Sequence, residues 1–293
     1  MKCMIIDENR GEYAIEKVAE ILGISASAYY YRKKHPLGKR EIETIKLTAA
    51  IKDIFFESWE TYGSPRVTEE LKKNGWRVSR GRVSRIMQEN NWVAKAAAKY
   101  VITTDSSHKF PASPNRLKQN FVVKRPGMAW VSDVTYLKTE EGWMYLCTVI
   151  DLYNRGIVGW SLEDNLTAEI AIKAMKVAWA NHRPSDRLIF HSDRGIQYAC
   201  HEFRKVLKGY GFKQSMSRKG NCWDNAPAES FFHTLKTEEV RGQSYRSKAE
   251  CRLKIFEYIE IFYNRRRMHS SLGYKTPFEF EQEYLRGCYW NAA

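Results

Sequence analysis

The ten residues Trp143–Leu152 read WMYLCTVIDL, apolar at nearly every position. A strand with one wet face alternates apolar and polar residues, so an unbroken run points to a strand covered on both faces. Such a strand sits inside a sheet, and the sheet needs helices packed on it. The neighbouring segments can supply both. Ala129–Lys138 predicts a first strand, Gly142 a turn, Trp143–Leu152 the second strand and Gly156–Leu162 a third. Thr167 is placed to cap a helix whose apolar stripe is Ile170, Ala174, Val177 and Ala178. A fourth strand over Arg187–His191, a helix over Cys200–Gly209, a short strand over Phe212–Met216 and a further helix carrying Glu229 follow.

Three consecutive strands and then strand–helix alternation predict an α/β fold, a mixed sheet flanked by helices. The order is compatible with a ribonuclease-H-like fold, which periodicity by itself does not assign. Ahead of it the pattern is helical. Residues 14–34 predict a small helix-turn-helix broken at Gly23, with Ser25 capping a tyrosine-rich basic helix. A longer helical block covers 40–92. In it SPRVTEELKKNGW stops at Asn74-Gly75, and Ser79 caps RGRVSRIMQENNW, whose stripe is Val83, Ile86 and Met87. Arg80, Arg82 and Arg85 fall off that stripe, where a second helix of such a motif meets DNA. Residues 95–126 carry prolines and serines with little periodicity and read as a linker. The expected division is a helical region with the helix-turn-helix pattern (1–94), a linker (95–126), an α/β core (127–242) and a basic helical extension (243–293). In the last part Ser247 and Glu250 have capping-box spacing, and Ile255, Ile259 and Phe262 share a face. The dense run YNRRRMHSSLGYKTP follows, with Arg265, Arg266 and Arg267 as candidate phosphate contacts.

Lysine and arginine outnumber aspartate and glutamate 48 to 34 in 293 residues, a formal charge of +14. That balance suits a polyanionic partner such as nucleic acid. No run approaches the ~18 apolar residues of a membrane span, and MKCMIIDENRGEYAIEKV has no signal-peptide core, so a cytoplasmic chain is expected. The six cysteines are scattered without a CxxC pair and read as reduced thiols; zinc is not expected.

Three acids carry the chemistry. Asp133 lies in the strand-like AWVSDVTYL, Asp193 just past the strand in IFHSDRGIQY, and Glu229 in the first turns of the helix in NCWDNAPAESFFHTLKTE. Carboxylates converging from separate elements suit a pair of hard divalent cations, which take oxygen ligands and complete their shells with water and substrate phosphate. Two such ions can stabilise both the attacking and the leaving oxygen of phosphoryl transfer. Helical spacing at i, i+4 and i+7 places Glu229, His233 and Lys236 on one face, with Lys236 able to reach a DNA phosphate, while Phe231 and Leu235 pin the helix to the sheet. Asp224 reads as a capping or approach residue, Asp151 as the end of a strand and Asp164 as a loop residue. None of these, nor Glu238 or Glu239, is assigned to metal.

AWVSDVTYL, FHSDRGIQY, SMSRKGNCWDNAPAESFFHTLKTE and YNRRRMHSSLGYKTP together resemble the transposases of IS-three-type bacterial insertion sequences, within the DDE transposase and retroviral integrase superfamily. The resemblance covers about residues 45–282. It implies a ribonuclease-H-like core with Asp133, Asp193 and Glu229 as catalytic Mg²⁺ ligands, two ions with Mn²⁺ able to substitute, and Lys236 as the basic residue two turns after the glutamate. It also implies double-stranded DNA as substrate (element terminal repeats and target), a homo-oligomer on DNA, and a bacterial, nucleoid-associated location. Family members are often made as a fusion with an upstream segment, and this chain resembles the downstream-frame product. It lacks the His/Cys zinc module that opens retroviral integrases, and Ala228 stands where a bulkier apolar residue is expected. The expected activity is metal-dependent strand cleavage and strand transfer. A nuclease that cuts without joining and a DNA-binding regulator are the competing readings.

Overall fold

The computed structural model describes residues 2–35, 37–95, 112–184 and 187–290; half of the expected linker, residues 96–111, lies outside them. Three short helices come first: α1 (Lys2–Asn9), α2 (Ile15–Ile21) and α3 (Ala26–Lys34), around a small core of Ile6, Ala19 and Tyr29. Ser25 caps α3 by accepting the Ala28 amide at 3.1 Å. Helices α4 (Lys39–Glu57), α5 (Ser64–Lys73) and α6 (Arg80–Glu89) follow. The turn after α5 passes through Gly75 at φ +84°, a left-handed conformation that favours glycine. Ser79 caps α6, and Val83, Ile86 and Met87 are buried as their spacing predicts.

The sheet has five strands, β1 (Ala129–Thr139), β2 (Gly142–Asp151), β3 (Ile157–Glu163), β4 (Ile189–Ser192) and β5 (Lys213–Met216), in the order β3-β2-β1-β4-β5. β1 pairs antiparallel with β2, and β2 with β3. β4 lies parallel to both β1 and β5. With helices on both faces this is the expected ribonuclease-H-like arrangement.

Strand parity sorts the faces. Trp130, Cys147, Val149 and Val158 pack with α7 (Ala168–His182), α8 (Ile196–Ala199) and α9 (His201–Gly209). Ala129, Val131, Leu137, Met144, Leu146 and Ile150 pack with α10 (Ala226–Leu235) and α11 (Lys248–Phe256). This second core is continuous with Leu47, Ile51, Val67 and Leu71 of the helical region. α10 continues as a π-helical segment, Lys236–Val240, and α11 as another, Glu257–Tyr263; α12 (Pro277–Trp290) follows. No helix among the described residues is long and apolar enough to cross a membrane.

Several local expectations are corrected. Val177 is 40% exposed, so the α7 stripe turns instead through Ile170, Ala171, Ala174, Met175 and Ala178. Thr167 stands at the N-cap of α7 but makes no side-chain cap bond. The helix expected over Cys200–Gly209 forms as α9, with the extended Cys200 as its N-cap and the short α8 just ahead of it. Only half of the predicted capping box forms: Ser247 accepts the Glu250 amide, while the Glu250 carboxylate accepts the Arg246 amide. Cys147, Cys200 and Cys251 are buried free thiols.

The largest correction concerns Arg267. It is 6% exposed, and its guanidinium donates to both oxygens of the buried Glu238 at 2.8–3.0 Å. Tyr258 donates its hydroxyl to the same carboxylate at 2.8 Å. A charge run in sequence has become, at this position, a buried ion pair rather than a solvated phosphate contact. Removing one member strands the other in a dry interior, which costs roughly 3–5 kcal/mol. Arg267→Met should therefore lower urea-unfolding stability by about that amount. An unchanged midpoint together with lost DNA binding would restore Arg267 as a surface phosphate contact.

Candidate active site

The parallel register of β1 and β4 builds the site. Pairing runs from Ala129 opposite Ile189 to Ser132 opposite Ser192. Asp133 is the next residue of β1, which runs on to Thr139, and Asp193 directly follows the last residue of β4, so both acids stand where the parallel pairing ends. Crevices at such strand ends are where open α/β sheets place their ligands. Alternation puts Asp133 on the face of Val131 and Leu137, the face that α10 covers. Phe231, Phe232 and Leu235 bury the inner side of α10, which leaves Glu229 at its partly exposed margin.

The three carboxylates feel one another. The Asp133 carboxyl is pushed well above its ordinary range, first by burial, then by the negative charge of Asp193 and, less, of Glu229. Solvent still reaches part of Asp133, yet protein surrounds it densely, and the crowding dominates. The Val134 amide, donating to Asp133 at 2.8 Å, and the Lys236 ammonium act in the opposite direction. Glu229 is raised too, by burial and then by Asp193. The Gly195 amide donates to Asp193 at 2.9 Å and holds its loop. Lys236 lies with its Nζ 5.1 Å from the centre of the Tyr136 ring, and burial lowers its pKa. As these side chains stand, no three His, Cys, Asp or Glu among the described residues form a ready metal cage.

Buried polar contacts hold the frame. Asn225, at the start of α10, donates to the Ser132 carbonyl at 3.2 Å and ties the helix to the strand one residue before Asp133. Asp224 accepts from the Arg218 amide and guanidinium and from Gln119, all at 2.8–2.9 Å. It thus clamps the approach loop and does not cap α10. Beneath the acids, Ser132 and Tyr198 share a 2.8 Å hydrogen bond, and His191, kept neutral by burial with its pKa near 4, bonds Ser215 at 2.8 Å. Asp151 accepts from Gly127, Trp130 and Tyr153, and Asp164 pairs with Lys248 and Arg252. Neither joins the site.

Comparison with known proteins agrees with this architecture. Residues 42–100 match the HTH-like domain model, and residues 123–222 and 210–277 match two Integrase core domain models. The Insertion element IS600 uncharacterized 31 kDa protein of Shigella sonnei is 41% identical over 91% of this chain and 98% of its own length. The Transposase InsF for insertion sequence IS3A of Escherichia coli (strain K12) is 36% identical over 97% of this chain and all of its own. The chain belongs to the transposase family of IS3-type insertion sequences. A solved simian T-cell lymphotropic virus intasome, in complex with PP2A regulatory subunit B56 gamma, aligns at a TM-score of 0.46 and 16% identity, over 79% of this chain and 74% of that one.

In this transposase-family chain the arginines expected to meet DNA divide. Arg80 and Arg85 are exposed on α6. Arg82 is turned toward α4, donating to Glu43 at 2.7 Å and Thr44 at 3.1 Å. Arg265 and Arg266 are exposed but border a groove that also contains Glu57, Glu70 and Glu279. Asn225, Tyr198 and the Arg218–Asp224–Gln119 clamp were missed as supports of the site. For Arg218, Asp224 and Asn225 the signal lay in the polar run SRKGNCWDN, whereas Tyr198 and Gln119 stand outside it.

The raised Asp133 pKa makes a stability prediction. A carboxyl raised in the fold contributes stability at low pH, and loses that contribution as pH rises through its folded value. At neutral pH the buried, repelled charge works against folding. Asp133→Asn should therefore raise stability in EDTA by about 1 kcal/mol at pH 7 to 8, the usual scale for relieving a functional site. The gain should vanish below the ordinary aspartate value of 3.8. Thermal melts across that pH range test it, and a pH-independent difference would show that Asp133 carries no such burden.

Proposed function

We propose that this chain cuts DNA at the ends of an insertion sequence and joins the freed 3′ ends to target DNA, with Asp133, Asp193 and Glu229 as catalytic acids. The observation that carries this reading is the electrostatic coupling of three carboxylates delivered by three separate elements to one strand-end crevice. Their chemistry fits divalent metal: all are hard oxygen donors whose mutual repulsion a cation relieves. Mg²⁺ commonly takes only one or two carboxylates and completes its shell with water and substrate phosphate, so a closed protein cage is not required. Asp133, Asp193 and Glu229 would hold two such ions, with Mn²⁺ as a substitute. When bound, the ions supply Lewis acidity and neutralise charge on the attacking and leaving oxygens.

The protein's own part is positioning. Asp133 is fixed by strand pairing and its amide bond, and Asp193 by the Gly195 turn. Glu229 is carried on a helix pinned by Phe231 and Leu235. Lys236, on the same helix, holds a backbone phosphate of the terminal DNA. Arg80 and Arg85 on α6 contact the terminal repeat, with Arg82 joining when its surface pair with Glu43, worth little in water, is released. Arg265 and Arg266 contribute to backbone attraction. The four-part division into 1–94, 95–126, 127–242 and 243–293 follows these roles. Two DNA ends must meet for joining, so the chain works as a homo-oligomer on DNA, with an upstream-frame segment as partner or fusion.

The test uses labelled duplexes of the DNA flanking the gene, with wild type beside Glu229→Gln. Defined nicking and joined products should both fall by more than about 100-fold in the variant, as for loss of a metal ligand, while DNA binding persists. Cleavage without joining in the wild type would mean a nuclease, and binding alone a regulator. Lys236→Ala should weaken binding of terminal DNA about tenfold, the worth of one charge-assisted hydrogen bond, with unchanged melting. An unaltered footprint and unaltered cleavage would remove Lys236 from the site.

A further inference from the structure

The outer flank of α10 borders a second polar cleft, distinct from the acids. Its volume is about 380 Å³, and its walls come from α5 (Arg66), the β2–β3 turn (Arg155), α10 (Ser230, Thr234) and the segment His269–Ser271. No carboxylate lines it. Among the described residues Arg66 makes no ion pair with a carboxylate; it lies against the Tyr62 ring, whose centre is 5.5 Å from its guanidinium carbon, and feels Glu238 at longer range behind Arg267. Arg155 donates to the Phe121 carbonyl at 3.1 Å and likewise pairs with no carboxylate among the described residues. Arg267 adds to the wall, though Glu238 already balances its charge.

His269 gives the second observation. It is 8% exposed, and its Nε2 is buried without any hydrogen-bond partner. A stranded buried polar atom costs about 1–3 kcal/mol, and each one in a native fold calls for a reason. Burial and the charges of Arg267, Arg66 and Arg155 hold this imidazole neutral, its pKa well below the usual value. In the Nε2–H tautomer it donates. Two guanidiniums free of carboxylate partners, an orphan donor and serine hydroxyls in one carboxylate-free hollow are the complement of a phosphate.

We propose that this cleft binds one backbone phosphate of duplex DNA beside the reacting strand. The inference rests on the chain being a DNA-processing protein, and it commits to the DNA backbone because of where the cleft lies. Ser230 follows Glu229 on α10, so the cleft wall stands about 100° around the helix axis from the catalytic acid, on the neighbouring flank. A strand crossing α10 passes from the acids to the cleft. The cleft thereby joins the HTH-like region, the core and the HSS of the basic extension into one DNA-bearing surface. The groove beside Arg265 and Arg266 does not offer this, because Glu57, Glu70 and Glu279 share it.

The experiment measures equilibrium binding of a short labelled duplex to the full chain in EDTA, across a KCl series, for wild type, Arg66→Gln and Ser271→Glu. Each phosphate contact adds about 0.9 to the slope of log affinity against log salt. Both variants should show a slope shallower by about 0.9 and weaker binding at low salt. Ser271 is exposed on the rim, so its variant decides the matter if Arg66→Gln lowers the melting temperature. An unchanged slope in Ser271→Glu overturns the proposal. So does inorganic phosphate that raises the wild-type melting temperature, but not that of the variants, while the DNA slopes stay equal; that result would mean a free-anion site. Because binding in EDTA is read apart from chemistry, a slope change in a chain that shows no cleavage once Mg²⁺ is supplied would keep the cleft and sink the transposition reading. Cleavage with no slope change would do the reverse.

Discussion

The parallel pairing of β1 with β4 is the constraint on which the rest depends. Four residue pairs, ending at Ser132 and Ser192, bring together two aspartates that are 60 positions apart in sequence. A one-residue slip would send one of them to the opposite face. The register is held from both sides. Trp130, buried on one face, bonds Asp151 through its indole, and Val131 anchors the other face against α10. Asn225 then reaches from the start of α10 to the Ser132 carbonyl, so the third acid is referenced to the same strand.

That arrangement stores electrostatic work at the site. Asp133 and Glu229 are both raised by burial and by Asp193, a state the fold tolerates because its cores on either side of the sheet are extensive. Destabilising like-charge clusters are where function is concentrated. Other buried acids are treated differently: Glu238 is paired with Arg267, and Asp224 with Arg218 and Gln119. Glu239 is pushed up to about 7, by burial first, but stands as a single raised acid away from the site. The contrast that marks the site is between paired acids and mutually repelling ones. The same contrast, with the sign of charge reversed, singles out the cleft of Arg66, Arg155 and His269.

Much of this was legible in the sequence, for physical reasons. The run Trp143–Leu152 forced a doubly covered strand, and the cap Ser79 with its stripe placed α6. The acids were readable as candidates because Asp193 stood just past a strand, Glu229 in the first turns of a helix and Asp133 within a strand-like run, which is now β1 at the point where its pairing with β4 stops. What stayed hidden depended on partners distant in sequence. Arg267 looked like its exposed neighbours, and only Glu238, 29 positions away, draws it inside. Asp224 had capping spacing, but Arg218 and Gln119 claim it first. Val177 fitted a helical period, yet period fixes a face and not the width of what covers it. The orphan Nε2 of His269 has no sequence signal, because it arises where four segments meet.

The claim that Asp133, Asp193 and Glu229 form one coupled site is tested most directly by calorimetric titration of the full chain with Mg²⁺ near pH 6, in buffers of different ionisation enthalpy. If the carboxylates share the ions, binding should release protons at every pH where the raised Asp133 still holds one. The release should shrink as pH rises and disappear in Asp133→Asn, and affinity should fall in Asp193→Asn and Glu229→Gln as well. Binding that releases no protons and is indifferent to all three substitutions would contradict the account.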